Sequence, residues 1–199
     1  MAVYTLKTPI SEDAVRKLKV NDVIYVTGTM VTARDSAHKR ALEYFKERKK
    51  MPIDLEGLVV FHCGPIVKKE DDTWTVVAAG PTTSTRMDLF EDKFIESFKV
   101  RVVIGKGGMG RRTTECMKKH GAVYGAFTGG AAVLAAKAIK KVKSVEWLDL
   151  GMPEALWILN VENFGPLIVA IDTHGNNVFA DVQKQVEENK QKIYERLSA

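Results

Sequence analysis

The chain has 199 residues and an apolar share of 45 %, enough to bury a substantial core in one domain. No apolar run reaches membrane-spanning length and the N-terminus lacks a signal-peptide pattern; the net charge of +5 is mild and spread along stretches such as 46–50 and 137–143, so membrane and nucleic-acid partners are both excluded. Its two cysteines, Cys63 and Cys116, lie far apart with no partners at metal-ligand spacing, which excludes a metal centre held by this chain alone and fits a reducing cytoplasm.

In chain order, a short helix opens after Thr8 and runs through Leu18, with Ser11 or Thr8 as its cap. Asp22–Thr27 reads as a strand that Gly28–Val31 continues or turns. Thr32–Arg40 leads into a charged helix ending near Lys50. Leu58–His62 is a second strand, broken by Gly64-Pro65. A polar turn over Lys68–Thr73 sets up a hairpin with a strand at Trp74–Ala79. An amphipathic helix spans Met87–Phe98, with Phe90, Phe94, Ile95 and Phe98 at helical spacing. Val100–Ile104 is a strand, Arg111–Lys119 a helix and Ala122–Phe127 a strand. Gly129-Gly130 then opens an Ala-rich helix to about Val142, and Ser144–Leu148 is a strand. Leu156–Val161 and Leu167–Ile171 read as a strand pair, and Val178–Leu197 as a final polar helix. Alternating strands and helices with hairpins among them predict a single α/β domain over 1–199, built on a mixed sheet with flanking helices. Sparse Asn and Gln beside abundant Lys and Glu hint at a heat-adapted source.

Three stretches carry chemistry. The first is Gly80-Pro81-Thr82-Thr83-Ser84-Thr85-Arg86-Met87, four consecutive hydroxyls and a guanidinium between a strand and a helix. Hydroxyls there either cap the helix or join Arg86 in holding a carboxylate or phosphate. The second, Gly105-Lys106-Gly107-Gly108-Met109-Gly110, matches the dinucleotide fingerprint literally, but no acidic residue occurs between Cys116 and Val145 to bind a ribose. What stands is a turn in which Gly105, Gly107 and Gly108 let backbone N–H groups approach an anion beside Lys106. A nucleotide- or anion-binding module on residues 105–110 remains the rival from another class. The third is Thr32–Arg40, where Arg34 sits at a helix start, Asp35 caps or pairs locally, and His38 lies one turn on along the same face. Arg34, Arg86 and Lys106 thus sit at three strand-to-helix junctions, which in α/β sheets gather on one edge, and together suit a small dicarboxylate.

These motifs, in this order, resemble the β subunit of class I iron–sulfur fumarate hydratase, a module shared with the β subunit of L-tartrate dehydratase and the C-terminal domain of single-chain enzymes. Gly151-Met152-Pro153-Glu154-Ala155 and Asp172-x-His174-Gly175-Asn176 fit as well. The resemblance implies a swivelling β/β/α domain with its site on the strand-to-helix loops. It implies an α subunit carrying a [4Fe–4S] cluster, an α2β2 assembly, and reversible hydration of fumarate to (S)-malate, with tartrate dehydration as the alternative. It further implies Thr82 as the base and Arg34, Arg86, Lys106 and Thr83 as substrate binders. His38 would orient Arg34 or a water, with Asp35, Gly105, Gly107 and Gly108 in support. None of these residues is implied to ligate metal.

Overall fold

The computed structural model describes residues 1–197. In chain order the elements are β1 (Val3–Lys7), α1 (Glu12–Arg16), β2 (Val23–Thr32), α2 (Asp35–Lys46), β3 (Val59–Phe61), β4 (Ile66–Glu70) and β5 (Thr73–Ala78). They continue with a 3-10 turn (Ser84–Leu89), α3 (Glu91–Phe98), β6 (Val102–Gly105), α4 (Arg111–His120), β7 (Val123–Ala126), α5 (Ala132–Ala138), β8 (Ile139–Glu146), β9 (Leu156–Ile171) and α6 (Val178–Leu197). No helix among the described residues is long and apolar enough to cross a membrane.

The mixed sheet closes on itself. Strands β2, β3, β6 and β7 pair in parallel, and β9 runs antiparallel to both β7 and β2, so five strands form a ring. β1 extends it beside the first half of β2, β8 flanks the first half of β9, and β4–β5 stand apart as a hairpin. Both faces of the ring are covered, which is why β3 and β6 are buried at every position and read as unbroken apolar runs. Ile24, Val26, Val59, Phe61, Ile104, Leu159 and Phe164 belong to the cluster filling the interior. Val60, Val103 and Tyr124, from the alternate positions, pack outward with Ala37, Ala41, Phe94, Ile95 and Met117 of α2, α3 and α4.

Ser11 caps α1, its hydroxyl accepting from the Ala14 N–H. Four expectations change. The polar turn expected over 68–73 is confined to Asp71-Asp72, with β4 running to Glu70 and β5 starting at Thr73. The strand pair expected over 156–171 is one bent strand: Glu162-Asn163 reads as a turn, but Asn163 takes a left-handed conformation while its N–H bonds to the Thr27 hydroxyl, and the ladder continues. The Ala-rich helix ends at Ala138, because Ile139–Glu146 gains a full ladder with β9 that outweighs helix propensity. The helix expected over 87–98 is split into the 3-10 turn and α3. β1 was not anticipated; it contributes Leu6 to the interior.

Asp172 anchors the start of the polar turn after β9. Its carboxylate accepts from the N–H groups of Val20, His174 and Asn176 and from the Asn176 side-chain amide, at 2.9–3.1 Å. Asp172→Ala leaves these donors unpaired and is expected to cost about 2–3 kcal/mol, read by urea denaturation; a loss within error of zero would show that water replaces the carboxylate freely.

Candidate active site

Parallel pairing sends the ends of β2, β3, β6 and β7 to one edge, and two of those ends, of β2 and β6, release stretches singled out above. Arg34 follows β2, His62-Cys63-Gly64 follow β3, Lys106 follows β6, and Phe127–Gly130 follow β7. The hydroxyl stretch is laid between two of these ends. Pro81 pairs with Cys63 and Thr83 with Lys106. The Thr82 N–H donates to the His62 carbonyl at 2.6 Å, the Lys106 N–H to the Thr82 carbonyl at 3.3 Å, and the Ser84 N–H to the Lys106 carbonyl at 2.9 Å. Thr83 stands at the start of the 3-10 turn yet makes no side-chain cap bond, so capping does not account for its hydroxyl.

The cations follow the same edge. Arg86 pairs with Asp35 at 2.6 Å, which joins the hydroxyl stretch to the start of α2. Arg34 pairs with Glu154 at 3.2 Å and lies over Gly64, where an added Cβ would come within 2.9 Å of its Nη1. The other oxygen of Glu154 accepts from the Ser36 N–H at 2.8 Å, in the first turn of α2. Lys106 has no ion pair among the described residues, and its ammonium extends toward Gly129. The pairs leave one positive charge in excess. The Arg86 side chain is half exposed, so exchanging Asp35 for another carboxylate would cost about 1 kcal/mol.

The glycine stretch is shaped for close packing. A Cβ on Gly105 would lie 1.9 Å from the Ser84 hydroxyl, and Gly107 has a left-handed φ of +74°. The N-terminus of α4, which the dinucleotide fingerprint would offer to a pyrophosphate, is already filled: Asp88 accepts from the Gly110 N–H at 2.9 Å and from the Thr113 hydroxyl at 2.6 Å. That geometry weighs against a nucleotide at residues 105–110.

Beneath the edge lies a buried polar chain. His38 on α2 approaches the same Glu91 oxygen as His62 after β3, at 3.2 and 2.9 Å, with all three side chains fully enclosed. His62 Nδ1 lies 2.9 Å from the Ser84 hydroxyl, to which Tyr124 donates at 2.9 Å, and His38 Nδ1 lies 2.8 Å from the Arg34 carbonyl. Burial pushes the Glu91 carboxyl upward, but the His62 and His38 rings outweigh it and hold the group down at about 2. For His38 burial opposes the charge, yet Glu91 raises its pKa above the usual imidazole value; for His62 burial dominates and lowers it.

A carboxylate held at about 2, against an ordinary 4.5, stabilises the fold above the ordinary value and loses that contribution as pH falls through the depressed one. Stability is therefore expected to fall steeply between about pH 4.5 and 2. Denaturation midpoints across that range check this; an equally steep fall in Glu91→Gln would assign it to other carboxylates.

The fumarase C-terminus family model matches residues 2–182. The chain belongs to that family. It is 48 % identical over 192 residues to the L(+)-tartrate dehydratase subunit β of Escherichia coli (strain K12), covering 96 % of this chain and 94 % of the relative. A relative in Methanocaldococcus jannaschii, provisionally named L(+)-tartrate dehydratase subunit β, is 45 % identical over 196 residues, covering 98 % and 96 %. A protein of Geobacillus stearothermophilus, provisionally named fumarate hydratase class I, is 42 % identical over 183 residues, which are 92 % of this chain but 34 % of that longer protein.

The structure therefore brings Arg34, Asp35, Arg86, Thr82, Thr83, Lys106 and the glycines Gly105, Gly107 and Gly108 to one edge of the barrel, and His38 beneath it. Sequence reasoning named Ser84 only within the hydroxyl run and Glu154 only within the Gly151–Ala155 motif, and did not place Glu91, His62 or Tyr124 in the site. Glu91 carried a signal: it shares a helical stripe with Phe94, Ile95 and Phe98, where a lone carboxylate marks a buried charge seeking partners. Glu154 carried none beyond its place in the Gly151–Ala155 motif.

The cysteines do not fit an iron–sulfur cluster, which is held by several thiolates. Cys63 is buried, its thiol pushed by burial to about 12, and Cys116 is on α4, donating to the Asp92 carbonyl. Among the described residues, His38, His62 and Glu91 are the His/Cys/Asp/Glu set close enough to share an ion, one ligand atom from each lying within 4.8 Å of the others.

Proposed function

We propose that this chain is the β subunit of a hydro-lyase acting on a four-carbon dicarboxylate, working in a reducing cytoplasm with an α subunit, in an α2β2 assembly, that brings the [4Fe–4S] cluster which the two isolated cysteines of this chain do not suit. The observation that carries the reading is the seat between β3 and β6, where Thr82 and Thr83 lie directly against Lys106 with Arg34 and Arg86 on the adjoining loops. L(+)-tartrate is the substrate the relatives favour, since the two most similar of those described carry that name over nearly their whole length. Loss of water from its vicinal diol gives an enol, the tautomer of a keto diacid. Hydration of fumarate to (S)-malate is the second reading, supported by the Geobacillus relative.

In either case the roles on this chain are the same. Arg34, Arg86 and Lys106 take the carboxylates through charge-assisted bonds, and Thr83 adds a hydroxyl contact. Thr82 moves the proton at carbon. A threonine hydroxyl is a very weak base, so its oxyanion needs the Lys106 ammonium and the N–H groups of the glycine turn close by. Asp35 holds Arg86 until substrate displaces it.

The test is anaerobic co-expression with iron–sulfur partner chains, followed by assays of tartrate, malate and fumarate. The chain alone is expected to be silent and the assembled enzyme to turn over L(+)-tartrate faster than malate. Faster malate turnover would favour the second reading. Robust activity from this polypeptide alone would refute the half-enzyme assignment, and saturable calorimetric binding of NAD or ATP would revive a nucleotide module.

A further inference from the structure

Glu91 is buried where α2, α3 and the end of β3 meet. It opens α3, yet its carboxylate is spent on His38 of α2 and His62 at the end of β3. Each histidine reaches onward to a different wall of the candidate site. The His38 ring contacts the carbonyl of Arg34, the residue at the start of α2. His62 contacts the Ser84 side chain, inside the stretch bearing Thr82, Thr83 and Arg86, and its own carbonyl accepts the Thr82 N–H.

The hydrogen-bond roles can be worked out from the partners. The Arg34 carbonyl only accepts, so His38 Nδ1 carries a proton. Its other nitrogen lies 3.2 Å from a Glu91 oxygen in an enclosed site, where a bare nitrogen lone pair would face the carboxylate charge, so it is assigned a proton as well. Tyr124 donates to Ser84, leaving the Ser84 proton for His62 Nδ1, so the His62 proton sits on Nε2 and points at Glu91. The assignment leaves one imidazolium, one carboxylate and one neutral imidazole, a buried set with no net charge. Asp35 on α2 lies near enough to bias both rings, and the Phe94 ring closes the side of His38 at 4.6 Å.

We propose that Glu91 is a positioning residue: through charged His38 and neutral His62 it fixes the Arg34 junction and the Thr82–Arg86 stretch at one spacing, so that the cations of two separate loops meet one diacid. The kinetic part of this rests on the function proposed above; the protonation pattern does not.

The first measurement uses the unaltered chain. Nitrogen-15 spectra of its histidines at neutral pH are expected to show His38 protonated on both nitrogens and His62 on Nε2 alone. A neutral His38 overturns the inference. So does a stoichiometric divalent metal ion in the purified chain, which would make His38, His62 and Glu91 a metal centre instead. The second measurement is Glu91→Gln in the assembled enzyme. Loss of spacing between anchors is expected to raise KM about 10- to 100-fold with a smaller effect on kcat, and Glu91→Asp is expected to recover part of it. A KM effect no larger than that on kcat overturns the positioning role and makes the chain a proton conduit. If the spectrum is as expected but Lys106→Ala is harmless, the substrate reading fails; if the spectrum differs, the Glu91 inference fails on its own.

Discussion

Lys106→Ala is expected to lower kcat/KM of the assembled enzyme about 10²–10³-fold, or roughly 3–4 kcal/mol of transition-state binding, with little change in melting temperature. Lys106 is exposed and forms no ion pair among the described residues, so its removal leaves no buried charge stranded and opens no cavity. It is the one site cation whose charge no neighbouring carboxylate offsets, and it adjoins Thr83 with its backbone bonded to Thr82. On the proposed reading, removing it takes away a carboxylate anchor and the charge that would sustain a threonine oxyanion. Arg86→Ala is expected to cost less, because its guanidinium is half exposed and already screened by Asp35. Steady-state kinetics with each variant check this. A near-native rate in Lys106→Ala would show that the diacid is held elsewhere.

The largest loss of stability is expected from Phe61→Ala, about 3–5 kcal/mol. Phe61 is fully buried, its ring centroid 5.2 Å from that of Phe164 and 6.2 Å from that of Phe127, in edge-to-face contacts inside the ring of strands. A closed ring cannot collapse inward as an open sheet can, so the cavity stays and the neighbouring rings lose their dispersion partners. Urea denaturation at unchanged slope is the measure, and Phe61→Leu is expected to recover most of the loss. A cost under about 1 kcal/mol would mean the interior repacks freely.

The edge where these effects meet was legible because its residues advertise themselves. A run of hydroxyls ending in an arginine has no place in a strand core, and a lysine among glycines has no packing role. Parallel strands then carry such junctions to one edge by topology alone. The closure of the sheet was not legible, since β9 meets both β2 and β7 only in three dimensions and Glu162-Asn163 resembles an ordinary turn. The start of β8 was hidden for a similar reason: residues 139–142 continue the helical-looking run of Ala132–Ala138, and only pairing with β9 turns them into strand. Glu91 lay in plain view on an apolar stripe, but nothing local tells that two histidines from distant segments are its partners.

The long bent strand also governs how the molecule can be made. Until residues 156–171 have left the ribosome, β2 lacks a partner along one whole side and β7 along another, each lined with Val, Ile or Tyr. A nascent chain paused before that point carries two open, sticky borders, and crowded neighbours of the same sequence are their natural complement. The interval before residues 156–171 are made is the one in which holding by a chaperone would matter most.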